Sequence, residues 1–229
     1  MRKRDVVQRD IQAVLFDLDG TLLDTYDLLL ATFRYATRTV LGEVVPDEAL
    51  MAKVGQPLNT QMRDFTDDDS VHEELCRVYR EHNAVIHDDL IRLFPDTIDM
   101  LNRLKDEGVP LGVVTSKRHD PAMRGLDCFN LAGYFDFVVG SDDWPEHKPS
   151  PGPVAHGCRL LDLRPEACLY VGDSPFDMQA GNAAGCATAA ALWGMFSRGM
   201  LLGESPTYVC GRCSDVPPLL GIGSSSYRA

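Results

Sequence analysis

Short apolar runs alternate with longer stretches in which apolar residues return every third or fourth position. Runs at 13–16, 111–114, 137–139, 168–171 and 187–192 read as buried strands. The stretches between them read as helices. Residues 22–41 place Leu29, Phe33, Ala36, Val40 and Leu41 on one face, and Gly42 closes that helix. Pro46 opens a short helix over 46–54, the break Gly55-Gln56-Pro57 ends it, and 58–65 forms another. Ser70 and Glu73 fit a capping box, which predicts a long helix over 70–91. Further helices are expected over 96–107, 120–129, 152–161 and 176–184. The acidic triplet Asp67-Asp68-Asp69 reads as a solvated loop, because consecutive side chains diverge.

Strand and helix alternate regularly from Pro95 onward, which predicts an α/β fold with a parallel, doubly wound sheet. The first interval breaks the rhythm. A βαβ unit takes roughly 30 residues, yet the ends of the first and second predicted strands, Asp17 and Thr115, lie 98 positions apart. The excess is helical, so a helical cap domain (24–93) is expected to interrupt a core made of 1–23 and 94–229. A cap beside strand-end loops is placed to exclude water and select substrate.

Composition narrows the partners. The chain has 229 residues, 45% hydrophobic and 24% charged, enough apolar material for a sizeable core. Its 22 basic and 34 acidic residues give a net charge of −12, which argues against nucleic-acid binding. Attraction for an anionic substrate must then be local. The basic start, Met1 to Asp5, is followed by no apolar stretch of signal-peptide length, and no run is long enough to span a bilayer. Seven cysteines, several inside apolar segments, suggest reduced thiols and a cytoplasmic protein. Cys210 and Cys213 form a lone Cys-x-x-Cys without the further ligands that zinc needs. The Gly- and Ser-rich residues 221–226 are expected to fray.

The chemistry gathers at strand ends. Asp17 and Asp19, Thr115 and Ser116, Lys148, and Asp173 with Asp177 all follow predicted strands or the loops after them. In an open α/β sheet those ends share one crevice. Each residue has an ordinary alternative: a turn aspartate, a helix cap, a surface lysine. Together, carboxylates, hydroxyls and one lysine suit phosphoryl transfer. A carboxylate attacking a phosphate dianion meets like charge, which Mg²⁺ neutralises through oxygen ligands. Asp17 and Asp173 are the natural metal pair, with Asp177 in support. Asp17 would be the nucleophile, and Asp19 would protonate the leaving oxygen and then activate water.

Asp17-Leu18-Asp19-Gly20-Thr21, the strand end at Thr115-Ser116, Lys148-Pro149 and Gly172-Asp173-Ser174-Pro175-Phe176-Asp177 resemble the four motifs of the haloacid dehalogenase superfamily. They occur in that family's order, from about Val14 to Trp193. The resemblance implies a Rossmann-like core with a helical cap after the first motif. It assigns Asp17 as nucleophile, Asp19 as acid/base, Thr115 and Lys148 as phosphate-stabilising, and Asp173 as Mg²⁺ ligand. Asp19 would join the metal through its backbone carbonyl. The second aspartate speaks for a phosphatase, since dehalogenases lack that acid/base. Residues 54–58, 79–83 and 142–143 look closest to the phosphoglycolate phosphatase and inorganic pyrophosphatase branch.

The expected activity is Mg²⁺-dependent hydrolysis of a small phosphorylated metabolite, with phosphoglycolate favoured. Pyrophosphatase and phosphomutase are the alternatives, and either a monomer or a homodimer fits. Ser116, Gln56, Gly20 and Thr21 form the expected substrate-binding set, with Asn59 and Arg63 as further candidates. Arg63 reads more readily as a solvated helix arginine than as a substrate contact. Lys117 either adds charge for a doubly anionic substrate or points to solvent. His82 and His87, five apart, share no helix face well, which argues against a histidine metal site.

Overall fold

In the first strand, β1 (Ala13–Phe16), every residue is buried. Val14 and Phe16 enter one apolar cluster, Ala13 and Leu15 another. That two-residue period buries both faces of the sheet, which is why the run is continuously apolar rather than alternating. The computed structural model describes residues 10–223; the Met1–Asp5 segment and Ser224–Ser226 lie outside them.

After β1 come a two-residue strand, β2 (Leu23–Asp24), and four helices: α1 (Tyr26–Leu41), α2 (Asp47–Met51), α3 (Leu58–Met62) and α4 (Asp69–Leu90). β3 (Arg92–Leu93) pairs antiparallel with β2, so the chain leaves and re-enters at one narrow ribbon. The expected helix over 22–41 therefore starts later. The amides of Thr21, Leu22 and Leu23 all reach the Leu18 carbonyl, and this turn ties up the residues that periodicity assigns to a first helical turn. The four helices carry their own apolar cluster, built on Leu29, Phe33, Leu50, Met62, Leu75 and Tyr79, with Met195 and Phe196 packed against it from beyond β3.

The alternation then runs α5 (Thr97–Asp106), β4 (Leu111–Val114), α6 (His119–Cys128), β5 (Phe137–Val139), α7 (Gly152–Leu160), β6 (Cys168–Gly172), α8 (Pro175–Ala184) and β7 (Ala187–Ala191). α9 (Arg198–Gly203) and β8 (Tyr208–Cys210) follow, and the sequence reading had assigned neither. β8 is a three-residue edge strand, too short for its period to show. The six long-range strands form one parallel sheet in the order β5-β4-β1-β6-β7-β8. The chain steps outward from β1 to β4 and β5, then crosses to β6 and steps the other way. That reversal beside β1 is the switch point where α/β sheets open a crevice.

Two local expectations are corrected. The long helix α4 is capped by Asp68, whose carboxylate accepts from the amides of Ser70 and Val71, not by a Ser70–Glu73 box. The middle of the acidic triplet thus has a structural task, because a carboxylate two residues upstream captures the free amides first. Cys210 and Cys213 are both buried, Cys213 lying 3.6 Å from the Thr97 hydroxyl. Neither joins a cluster of three metal-ligating side chains among the described residues. No helix among these residues is long and apolar enough to cross a membrane.

Candidate active site

The loop leaving β1 is held in place by backbone. The Asp17 amide extends the sheet to the Val171 carbonyl at 2.9 Å, and Gly20 N–H closes the turn onto Leu23 O at 2.7 Å. Gly20 sits at φ +85°, and a Cβ there would stand 2.3 Å from an Asp173 carboxylate oxygen. Only glycine permits both that backbone and that approach. The turn brings Thr21 round as well: its buried hydroxyl donates to Asp173 Oδ1 at 3.1 Å, and Met195 N–H donates to Oδ2 at 2.8 Å. Asp173 follows β6 directly, so adjacent strand ends deliver the two aspartates to one place.

Asp177 lies in the first turn of α8. Ser174 caps that helix, and Asp177 Oδ2 accepts from the Ser174 amide at 3.0 Å and hydroxyl at 2.5 Å. Its Oδ1 takes Lys148 Nζ at 2.6 Å, with the Tyr170 hydroxyl at 3.0 Å. Lys148, before a cis peptide to Pro149, also donates to Asp17 Oδ1 at 2.7 Å. Lys148 and Asp17 are each 3% exposed, and Asp177 is fully buried. Burial opposes charge on Lys148, but Asp17 and Asp177 outweigh it and hold the ammonium above the ordinary lysine range. Burial pushes the Asp17 carboxyl up to about 7, against the pull of Lys148 and with Asp177 adding to the rise. Asp173 is held well above the carboxylate range by burial, Asp177 and Asp17, and no cation contacts it among the described residues.

These facts bear on a metal. Carboxylate oxygens of Asp17, Asp173 and Asp177 lie within 4.8 Å of one another. When all three acids are ionised, the lysine shared by Asp17 and Asp177 leaves an excess of two negative charges, the charge that a divalent cation matches. The donors are oxygens throughout, as Mg²⁺ requires. Asp177 takes the Lys148 ammonium and three further hydrogen bonds, whereas each Asp173 oxygen accepts a single neutral donor, so Asp17 and Asp173 are better placed to hold the ion, and Asp177 anchors Lys148.

The remaining predicted residues sit at the ends of β1 and β4 and in the loop from the inserted helices. Thr115 is 5% exposed, and its hydroxyl accepts from the Lys117 amide at 3.2 Å. The Ser116 hydroxyl donates to the Gly55 carbonyl at 2.6 Å, which joins β4's loop to the inserted segment. Lys117 does not point to solvent: its ammonium bridges both oxygens of Asp19 at 2.8 and 3.0 Å. A cavity of about 800 Å³ opens between the strand ends and the inserted helices, lined by Asp17, Asp19, Gln56, Arg80, Ser116 and Lys117 among others. Asn59 lines it too. Arg63 does not, and pairs instead with Asp69 on the outside. Gly20 and Thr21 are buried against Asp173, so they act through that carboxylate. His82 stacks on Tyr35, away from the buried His87, which lines the cavity. Sequence reasoning did not find Tyr170, the Met195 amide, or Trp193, whose indole donates to Thr21 O at 2.9 Å. Tyr170 is concealed in an apolar run, and a backbone amide has no sequence signal.

A model of the haloacid dehalogenase-like hydrolases matches residues 14–191. The chain belongs to that family. Among curated relatives, a Bacillus cereus protein named pyrophosphatase PpaX is 34% identical over 210 residues, covering 92% of this chain and 96% of the relative. A protein of Caldanaerobacter subterraneus, provisionally given the same name, is 39% identical over 198 residues, 86% of this chain and 89% of its own. Among solved structures, one from Haemophilus somnus described as a predicted phosphoglycolate phosphatase superposes with a TM-score of 0.85. It is 24% identical, with 92% of this chain and 98% of that one covered, a likeness of fold. The chain is therefore a haloacid dehalogenase-like hydrolase whose curated relatives bear the pyrophosphatase name.

Proposed function

We propose that this hydrolase is a Mg²⁺-dependent phosphatase that works through an aspartyl-phosphate on Asp17. The observation that carries the reading is the buried cluster in which Asp17 shares Lys148 with Asp177 while Asp173 lies uncompensated beside them. Asp17 attacks phosphorus, and the bond to the leaving oxygen breaks as Asp19 gives that oxygen a proton. Asp19 then takes a proton from the water that cleaves the aspartyl-phosphate, which returns Asp17 and releases phosphate. Lys148 holds Asp17 in line, and Thr115 faces the phosphoryl oxygens. When bound by Asp17, Asp173 and the Asp19 carbonyl, Mg²⁺ supplies charge neutralisation for the attack. Residues 24–93 act as the cap over a core of 1–23 and 94–229, and Gln56 reaches the substrate from the cap. A cytoplasmic setting fits the seven free cysteines.

The substrate is a small phosphorylated metabolite. Pyrophosphate moves ahead of phosphoglycolate, because relatives at 34–39% identity bear the pyrophosphatase name, while the phosphoglycolate names belong to structures near 24%. The test is phosphate release, with and without Mg²⁺, from a panel of pyrophosphate, phosphoglycolate, sugar phosphates and nucleotides, beside Asp17→Asn. Expected is metal-dependent release that Asp17→Asn abolishes. Release from no substrate above the Asp17→Asn background overturns the reading.

A further inference from the structure

The inserted helices and the β1 and β4 loops enclose a cavity far larger than a phosphoryl group needs, and its cations are not equally available. Arg118 is held by Asp142 at 2.9 Å, and Arg124 by Asp88 at 3.0 Å. Arg80 enters from α4, and its one bond recorded among the described residues is to an amide oxygen, Asn59 Oδ1, at 2.8 Å. Lys117 enters from the opposite wall. Its partner is Asp19, the acid/base of the proposed reaction, and both are largely shielded, their side chains 10% and 16% exposed. With the ammonium across both oxygens at 2.8 and 3.0 Å, neither oxygen of the Asp19 carboxylate is free of a partner.

The clamp is useful if the correct substrate removes it. A second anionic group beside the transferred phosphoryl offers the ammonium another partner within the same cavity, and Asp19 is then free to turn to the leaving oxygen. A substrate whose remainder carries only hydroxyls offers none, and Asp19 stays occupied. Such a device converts binding of the non-reacting end into catalytic competence. We propose that Lys117 is a specificity-determining residue that selects phosphoryl compounds carrying a second anionic group, a carboxylate or another phosphoryl, by leaving Asp19 for that group, with Arg80 as the matching cation on the inserted helices. This rests on the phosphatase reading and narrows its substrate class, since pyrophosphate and phosphoglycolate both carry such a group.

The test compares phosphoglycolate with 2-hydroxyethyl phosphate, which has the same length and no second charge, in wild type, Lys117→Met and Lys117→Arg. The wild type is expected to favour phosphoglycolate in kcat/KM by about 50-fold or more. Lys117→Met should reduce that ratio at least tenfold, and Lys117→Arg should largely restore it. Binding is measured separately on Asp17→Asn, which holds substrate without turnover, with and without Lys117→Met, by calorimetry in Mg²⁺. The preference in Kd should shrink in the double variant. A ratio unchanged within threefold by Lys117→Met, in turnover and in binding alike, overturns the inference while leaving an Asp17-dependent phosphatase standing. If turnover survives Asp17→Asn, the phosphatase reading fails, and the binding arm still decides whether Lys117 selects the second anion.

Discussion

Lys148→Met should make the stability of the metal-free protein depend steeply on pH. The ammonium lies 2.7 Å from Asp17 and 2.6 Å from Asp177, all three groups being buried. Removing one partner of such a pair costs about 3–5 kcal/mol when the acids left behind stay ionised. They need not stay ionised, and pH decides. In the wild type Asp17 already rises from 3.8 to about 7. A folded-state value above the unfolded one means that the fold binds the proton more tightly, so this contribution is complete below about pH 4 and is lost as pH climbs through 7. A rise of that size is worth on the order of 4 kcal/mol. Without the pull of Lys148, Asp17 moves further up. The variant therefore tracks the wild type most closely in acid and falls behind as pH rises. Urea unfolding of both proteins in chelator at pH 5.5 and pH 8 reads the difference. We expect a gap of about 1 kcal/mol at the lower pH and about 3–5 kcal/mol at the higher. An equal gap at both would mean that the lysine acts by packing alone, and the charge argument would be wrong.

Three further outcomes follow from particular contacts. Thr21→Val keeps the side chain's shape but removes the donor to Asp173; it should raise the Mg²⁺ concentration for half-activity about tenfold with little change in kcat at saturation, measured by metal titration. Asp68→Ala should lower stability by about 0.5–2 kcal/mol in thermal unfolding, and Ser70→Ala by less than half of that, because the carboxylate rather than the hydroxyl caps α4. Ser116→Ala removes the bond to Gly55 O; amide exchange over 53–62 should speed up about 2- to 10-fold, the equivalent of one lost hydrogen bond.

The chain reveals more of its sheet than of its loops. β1, β4, β6 and β7 are buried on both faces, and a continuous apolar run records this directly. The long interval after Asp17 marks the helical insertion because it is a matter of counting. Strand-end residues such as Asp17, Lys148 and Asp173 could be found because topology forces those ends together. What the sequence could not supply is where a hydroxyl or an ammonium turns once it arrives. Ser116, read as a substrate contact, spends its hydroxyl on Gly55 O; Thr21 spends its own on Asp173. Lys117 had two readings of equal weight, and only its 2.8 Å approach to Asp19 separates them. Periodicity likewise overran the turn at Leu18 and chose the wrong cap for α4, since both depend on which carbonyl or carboxylate wins a competition among near neighbours.

The position of the insertion explains why the site is assembled from so few elements. β1 is central, with β4 and β6 as its hydrogen-bonded neighbours. Anything inserted just after β1 must rise over the point where the sheet reverses direction. The β2–β3 ribbon, two residues long in each strand, holds both ends of that insertion together. One consequence is that the loop around Gly55 meets the core through small contacts: the Ser116 bond, and Ser174, whose hydroxyl oxygen would stand 2.8 Å from a Cβ at Gly55. The buried acids, by contrast, are fixed wholly within the core by Lys148, Tyr170, Thr21 and the Met195 amide. The fold thus separates a charge cluster fixed within the core, which suits the proposed reaction, from a wall on the inserted helices bearing Arg80, Gln56 and Asn59, which suits discrimination among substrates. Substitutions in the cluster should therefore act on metal use and turnover, and those in the wall on KM and on the choice of substrate.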